Sequence, residues 1–178
     1  MAGTLINTKS TVLQKAYDMY ELNGVTKTLL GEIGENGTKV TVKQIKNNVE
    51  TNTKNKYTTI LTGFEANVEV ALKVWGLEAT KLATIGAEIT EGADPDKVKI
   101  TFKGNKQVDL YEQSKTILLH PHGVPLADTS EDIILIHAVN EADLVYEFKK
   151  NAETVLSLNL TCFADHTTDE VIIMGSTE

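Results

Sequence analysis

The chain has 178 residues, of which 41% are apolar and 24% are charged, and only 15 are Gly or Pro. This composition excludes the collagen-like, disordered and coiled-coil classes, and the length predicts one domain with a buried core, spanning residues 1–178. The net charge is −8, and all 17 positive side chains are lysine. Arginine is the residue that best forms bidentate contacts with phosphate and guanine, and the chain has none. We therefore expect no stable binding of nucleic acid.

The N-terminal third combines a possible arm with a possible hairpin. Residues 10–22 place several apolar side chains near a helical stripe, which predicts a short helix, although Val12, Tyr17 and Tyr20 would also suit a strand or an extended arm within residues 1–22. Strands are predicted over residues 37–49 and 57–61. The polar stretch between them reads as the tip of an extended hairpin, residues 43–56.

Three later segments alternate strictly between apolar and polar side chains, which is typical of half-buried strands. They cover residues 64–72, 97–103 and 155–163. The first places Phe64, Ala66, Val68, Val70 and Leu72 on one face, and the last places Leu156, Leu158, Leu160 and Cys162 on one face. We expect these two apolar faces to pack together in the core.

Residues 76–85 predict a short helix because they are rich in helix-forming residues. Short apolar runs at residues 115–119, 133–138, 144–148 and 171–174 predict further strands. The predicted fold is therefore mainly β, a sandwich or partly closed barrel of about eight strands flanked by one short helix.

Two clusters invite a chemical interpretation. His120 and His122 flank Pro121 and could chelate a metal, although we expect a solvent-facing turn because a third ligand is not evident. Cys162 lies near Asp165 and His166, but it alternates with core leucines and reads as a small core residue. The acidic pairs 131–132 and 169–170 suggest solvated turns. We expect no catalytic residue, no metal and no cofactor.

The sequence carries no apolar run of 18 residues and no basic start followed by an apolar stretch, so we expect a soluble protein made in the cytoplasm, without a membrane partner. One cysteine cannot form an internal disulfide. Residues 1–56 carry a charge of +3 and residues 57–178 carry −11, which suggests a basic end that meets an acidic surface of another copy.

The order of the segments resembles the tail tube proteins (major tail proteins) of long-tailed bacteriophages. The stretch 57–72 and the helix after it are similar to the family's strand, Thr-Gly, alternating strand and helix. Residues 117–121, 126–128 and 130–138 resemble its "LxLHP…LAD…DIxLxxA" block, and residues 155–165 resemble its closing strand. The resemblance spans roughly residues 37–174.

The resemblance implies a β protomer that assembles into hexameric rings, which stack into a hollow tube in the virion. Its implied partners are further copies of itself and the tape measure, tail terminator and baseplate proteins, with phage DNA as passing cargo. A channel wall along which DNA slides should present few cations, because cations retain phosphates. We therefore expect strand faces without lysine to line the lumen. These faces are Glu65, Asn67 and Glu69, and Ser157, Asn159 and Thr161. Lys97, Lys99 and Lys103 are expected to face outward.

The extended hairpin is predicted to contact the adjacent ring through its lysines, which are Lys43, Lys46, Lys54 and Lys56. Two other classes compete with the tube. A β-sandwich module that binds carbohydrate or a receptor needs an exposed aromatic cluster, and the chain has one Trp and four Phe. An enzyme needs polar residues that converge on a pocket.

Overall fold

The computed structural model describes residues 16–51, 54–92, 97–144 and 155–176. These residues form nine strands and one helix. The strands are β1 (Tyr17–Asn23), β2 (Thr26–Thr51), β3 (Lys54–Trp75), β4 (Glu88–Glu91), β5 (Val98–Thr101), β6 (Lys115–Pro121), β7 (Ile133–Asn140), β8 (Leu156–Cys162) and β9 (Ile172–Met174), and the helix is α1 (Leu77–Ala83). The protein is mainly β, as the sequence predicted.

Seven strands form one antiparallel sheet in the order β6-β1-β2-β3-β8-β7-β9, and β6 also pairs with β7. The sheet therefore curls into a partly closed barrel. Strand β7 has a backbone irregularity, here called the kink, at His137, whose φ is 44°. β7 pairs with β6 over residues 133–135 and again at Ala138, with β9 over residues 133–135, and with β8 over residues 138–140.

The core lies inside this curled sheet, where the alternating faces meet as predicted. Register pairs Val68 with Leu160 and Val70 with Leu158, and these four side chains are at most 3% exposed. Phe64 departs from the prediction, since it is 48% exposed. The pairing of β3 with β8 ends at Ala66 and Cys162, so Phe64 lies beyond the strand that would have covered it.

Helix α1 confirms the prediction for residues 76–85. It follows β3 and buries Ala79, Leu82 and Ala83. Its attachment is reinforced by backbone and side-chain bonds, because the Gly76 N–H donates to the Leu30 carbonyl at 3.1 Å and Asn140 Nδ2 donates to the Ala83 carbonyl at 3.3 Å.

Of the alternatives for residues 10–22, the described part follows the strand and not the helix, because Tyr17–Asn23 is a strand. A strand forms here instead of a helix because β1 pairs on both sides, with β2 and with β6. The strand also buries Met19 completely. Residues 1–15 lie outside the described residues. So do residues 145–150, which hold most of the strand expected at 144–148.

Strands β2 and β3 form one hairpin that is far longer than its neighbours. β1 pairs with β2 only over residues 26–32, and β8 pairs with β3 only over residues 66–72. Residues 43–51 and 54–65, here called the ribbon, extend past both. Nine residues of strand span about 30 Å. The hairpin predicted at residues 43–56 is thus confirmed and longer than expected.

Leu158→Ala should lower the free energy of unfolding by about 2–5 kcal/mol, because a buried leucine leaves a cavity and its apolar contacts are lost. Urea denaturation followed by circular dichroism measures the change. Ser157→Ala on the exposed side of the same strand is the matched control and should shift stability by less than about 0.5 kcal/mol. Equal effects of the two substitutions would contradict the assignment of faces.

Candidate functional site

One surface of the sheet, here called the polar face, brings together all six side chains nominated for the lumen. Across β3 and β8 the register pairs Asn67 with Thr161 and Glu69 with Asn159. Directly opposed residues of an antiparallel pair lie on the same face. Ser157 and Glu65 continue the face at its two ends, opposite Ala71 and Lys43 respectively.

The polar face also contains lysines that the sequence did not place there. Lys39 lies opposite Glu69 and Lys43 opposite Glu65. Lys39 Nζ donates to Glu69 at 2.7 Å and Lys43 Nζ donates to Glu65 at 3.0 Å. The part of β8 on this face carries no lysine, but β2 contributes Lys39 and Lys43, and Lys73 continues the alternation of Glu65, Asn67 and Glu69 on β3. Reading each strand alone missed the two lysines of β2, because only the register of β2 against β3 reveals them.

These ion pairs neutralise the face but stabilise the fold little. All four side chains are more than half exposed, and exposed pairs contribute about 0–1 kcal/mol. Their effect is on the charge that the face presents, because each lysine ammonium is already paired with a carboxylate. Lys43, nominated for contact between rings, is one of these engaged groups.

The ribbon combines unpaired edges with exposed apolar side chains. Among the described residues, no strand pairs with its two outer edges. Six large apolar side chains on the ribbon and its base are 37–52% exposed. They are Val42, Ile45, Val49, Ile60, Leu61 and Phe64. Lys46 lies opposite Leu61, and Lys54 and Lys56 belong to the β3 arm of the ribbon.

The outward-facing assignment of the 97–103 lysines is compatible with their exposure. Lys97, Lys99 and Lys103 are exposed on or beside β5, which pairs with β4 in a separate two-stranded sheet. Lys103 Nζ donates to Glu88 at 2.6 Å and holds the pKa of that carboxyl below its ordinary value.

The histidine pair around Pro121 does not form a solvent-facing turn as a whole. His120 is the last but one residue of β6 and is 1% exposed, and its Nδ1 lies 2.5 Å from Oδ1 of the buried Asp132. Its Nε2 donates to the Val124 carbonyl at 3.0 Å. The expectation that Asp132 is a solvated carboxylate in a turn is therefore wrong. His122 is exposed and pairs with Asp18.

His137 joins another polar cluster, which sequence reading missed. Ser114 Oγ lies 2.8 Å from His137 Nδ1, and His137 Nε2 lies 3.3 Å from Asp165. The arrangement has the residue types of a nucleophile, base and carboxylate. However, Ser114 Oγ donates to the Tyr111 carbonyl at 2.5 Å, so the hydroxyl proton is directed away from the imidazole. The cluster braces the kink of β7.

Asp165 is held by backbone groups more than by His137. The Thr168 and Thr167 N–H groups donate to its Oδ1 and, with a smaller contribution from His137, hold the pKa of Asp165 below its ordinary value. Cys162 is buried, and burial raises the pKa of its thiol to about 12. This environment fits the predicted core role, since a reactive cysteine needs a thiolate.

A pocket of about 290 Å³ lies between α1, β4 and β6. Its charged lining is internally paired, because Lys115 contacts Glu21 at 2.8 Å and Lys81 contacts Glu78 at 2.7 Å. Among the described residues, no three potential ligands are grouped so that they could hold a metal ion. Within the same residues, no helix has the length and apolar character needed to cross a membrane.

No protein-family model and no curated protein matches the chain.

His120→Ala should lower the free energy of unfolding by about 3–5 kcal/mol, since it leaves Asp132 buried without its partner. Chemical denaturation at pH 7 measures this loss. His122→Ala removes an exposed pair two residues away and should cost less than about 1 kcal/mol. Similar losses for both variants would refute the buried role of His120.

Proposed function

We propose that this chain is a structural subunit of a phage tail tube, which assembles into stacked rings around a channel for DNA. The observation that carries the proposal is the ribbon, whose two edges have no partner strand within the described part of the chain and which also displays exposed apolar side chains. The order of motifs in the sequence supports the same assignment. Six copies per ring follow from the resemblance alone.

A ribbon of two strands is marginally stable in water and needs a further strand or a packed layer. Its two edges differ, one belonging to β2 and the other to β3. Rotation about an axis along the ribbon would bring the β2 edge of one copy beside the β3 edge of the next. The new pairs would be antiparallel, like the pairs within the chain. Such head-to-tail contacts close into a ring when the rotation closes.

The polar face is the side of β2, β3 and β8 that remains available for a channel, since the opposite side of the sheet is packed into the core. Lys39 and Lys43 on this face are engaged by Glu69 and Glu65. A wall of paired charges and small polar groups offers passing phosphates few uncompensated cations, which limits retention of DNA. In this proposal the tape measure, tail terminator and baseplate proteins contact the tube as partners.

The binding-module alternative finds less support. Tyr111 stacks on His137 with ring centres 4.5 Å apart and on His166 at 4.0 Å. An aromatic ring that is stacked inside the chain has less surface for a sugar than an open one. The cluster instead connects the segment before β6 to the segment after β8.

Electron microscopy of the concentrated protein tests the proposal. Rings or hollow polymers of regular diameter are the expected result. A protein that stays monomeric at high concentration in ultracentrifugation, with no rings in the images, would count against a tube subunit.

Deletion of residues 49–55 should leave a folded protein that no longer polymerises, because the ribbon loses its tip while the barrel core is untouched. Thermal unfolding reports folding, and electron microscopy reports polymers. Ile60→Glu is a milder version that should also reduce polymers. Phe102→Glu changes an apolar side chain that is 62% exposed outside the ribbon and should polymerise normally. Undiminished tubes from the deletion would contradict the role of the ribbon.

Glu65→Lys combined with Glu69→Lys should leave tubes that assemble but should slow DNA ejection, because four unpaired lysines would then face the channel. Ejection from phage particles carrying the variant measures the effect. The matched control adds Lys39→Glu and Lys43→Glu, which restores both cross-strand pairs with reversed sign, and ejection should recover. Normal ejection from assembled particles with the two lysines would show that the polar face lies elsewhere.

A further inference from the structure

A second exposed apolar surface, here called the end patch, lies at the opposite end of β2 from the ribbon tip. It consists of Val25, Leu29 and Leu126, which are 100%, 51% and 44% exposed. Lys27 joins them, because its Nζ donates to the Leu126 carbonyl at 2.9 Å. Lys27 and Leu29 are two residues apart on one strand and therefore point to the same side.

The end patch has an acidic border. Asp128 and Glu131 follow Leu126 in the segment that connects β6 to β7, and both are exposed. Apolar side chains beside carboxylates suit a partner that presents apolar groups beside lysines. A patch of this kind on a soluble surface commonly marks a contact with another protein.

The ribbon presents that complementary chemistry on one of its faces. Lys46 lies opposite Leu61 and Asn48 opposite Thr59, so these four residues share a face. Leu61 is 47% exposed. Thr59 Oγ1 donates to Asn48 Oδ1 at 3.0 Å, which ties the two strands together at this face.

One copy cannot cover its own end patch with its own ribbon. Lys27 and Lys46 are 19 residues apart on the single strand β2, which corresponds to about 60 Å at 3.3 Å per residue. The two surfaces lie at opposite ends of the molecule, so their contact joins different copies head to tail. Contacts of this type generate a linear polymer.

We propose that the Lys46 and Leu61 face of the ribbon docks on the end patch of a copy in the next ring. This inference rests on the proposed function and identifies the surface that receives the ribbon. Leu61 packs against Leu29 and Leu126, and Lys46 approaches the acidic border. The apolar contact supplies most of the affinity, while the exposed charges set the orientation.

Disulfide trapping tests the contact. Thr59→Cys and Leu126→Cys are combined in the full chain, and assembled protein is treated with oxidised glutathione. The native Cys162 is buried, and burial raises the pKa of its thiol to about 12. Cys162 should therefore not take part in disulfide formation. The expected product on a non-reducing gel is a ladder of dimers, trimers and longer species that collapses on reduction. Each single variant should yield dimers at most.

The matched control combines Thr59→Cys with Phe102→Cys, an exposed position beside the other sheet, and should give no ladder. The Leu126→Glu variant gives an independent readout. Its rings should keep the melting temperature of the native protein but should no longer stack into tubes. Rings of the Leu126→Met variant should still stack. Tubes without a ladder, or tubes from Leu126→Glu, would overturn the docking site and leave the tube proposal intact. Absence of rings and tubes from the native protein would overturn both.

Discussion

The structure depends on a mismatch of strand lengths. β2 and β3 have 26 and 22 residues, while the strands that flank them, β1 and β8, have seven each. Every backbone N–H and C=O removed from water needs a partner. Within the barrel the flanking strands supply these partners, and along the ribbon the hairpin alone supplies them among residues 16–51, 54–92, 97–144 and 155–176. The fold is thus complete at one end of the hairpin and open to sheet extension at the other.

The same mismatch separates stability from assembly. The core residues of β3, such as Val68 and Val70, are buried against β8 without help from another copy. The ribbon residues gain burial only from a neighbour. In the proposed tube, a protomer built in this way would fold at low concentration and polymerise later, because changes on the ribbon leave the core contacts in place.

Patterns within a strand were predictable, and relations between strands were not. The alternation over residues 64–72 and 155–163 identified the core faces correctly except at Phe64, because period two is a local property. Lys39 and Lys43 escaped notice on the polar face because their position depends on the β2–β3 register. His120 was misread for a similar reason, since its partner Asp132 lies 12 residues away. The pattern of residues 10–22 leaves helix and strand open, because the double pairing of β1 is not encoded in its own pattern.

The buried His120–Asp132 pair connects the core to the end patch. A carbonyl oxygen only accepts, so His120 Nε2 must carry the proton that it donates to Val124. Nδ1 lies 2.5 Å from Oδ1 of Asp132, so the imidazole contacts both partners at once. Val124 and Asp132 lie on either side of Leu126 and Glu131. The segment that displays the apolar and acidic parts of the patch is therefore held at both sides by one buried ring. In the proposed contact, a second copy would meet a surface that is already ordered, which would lower the entropic cost of docking.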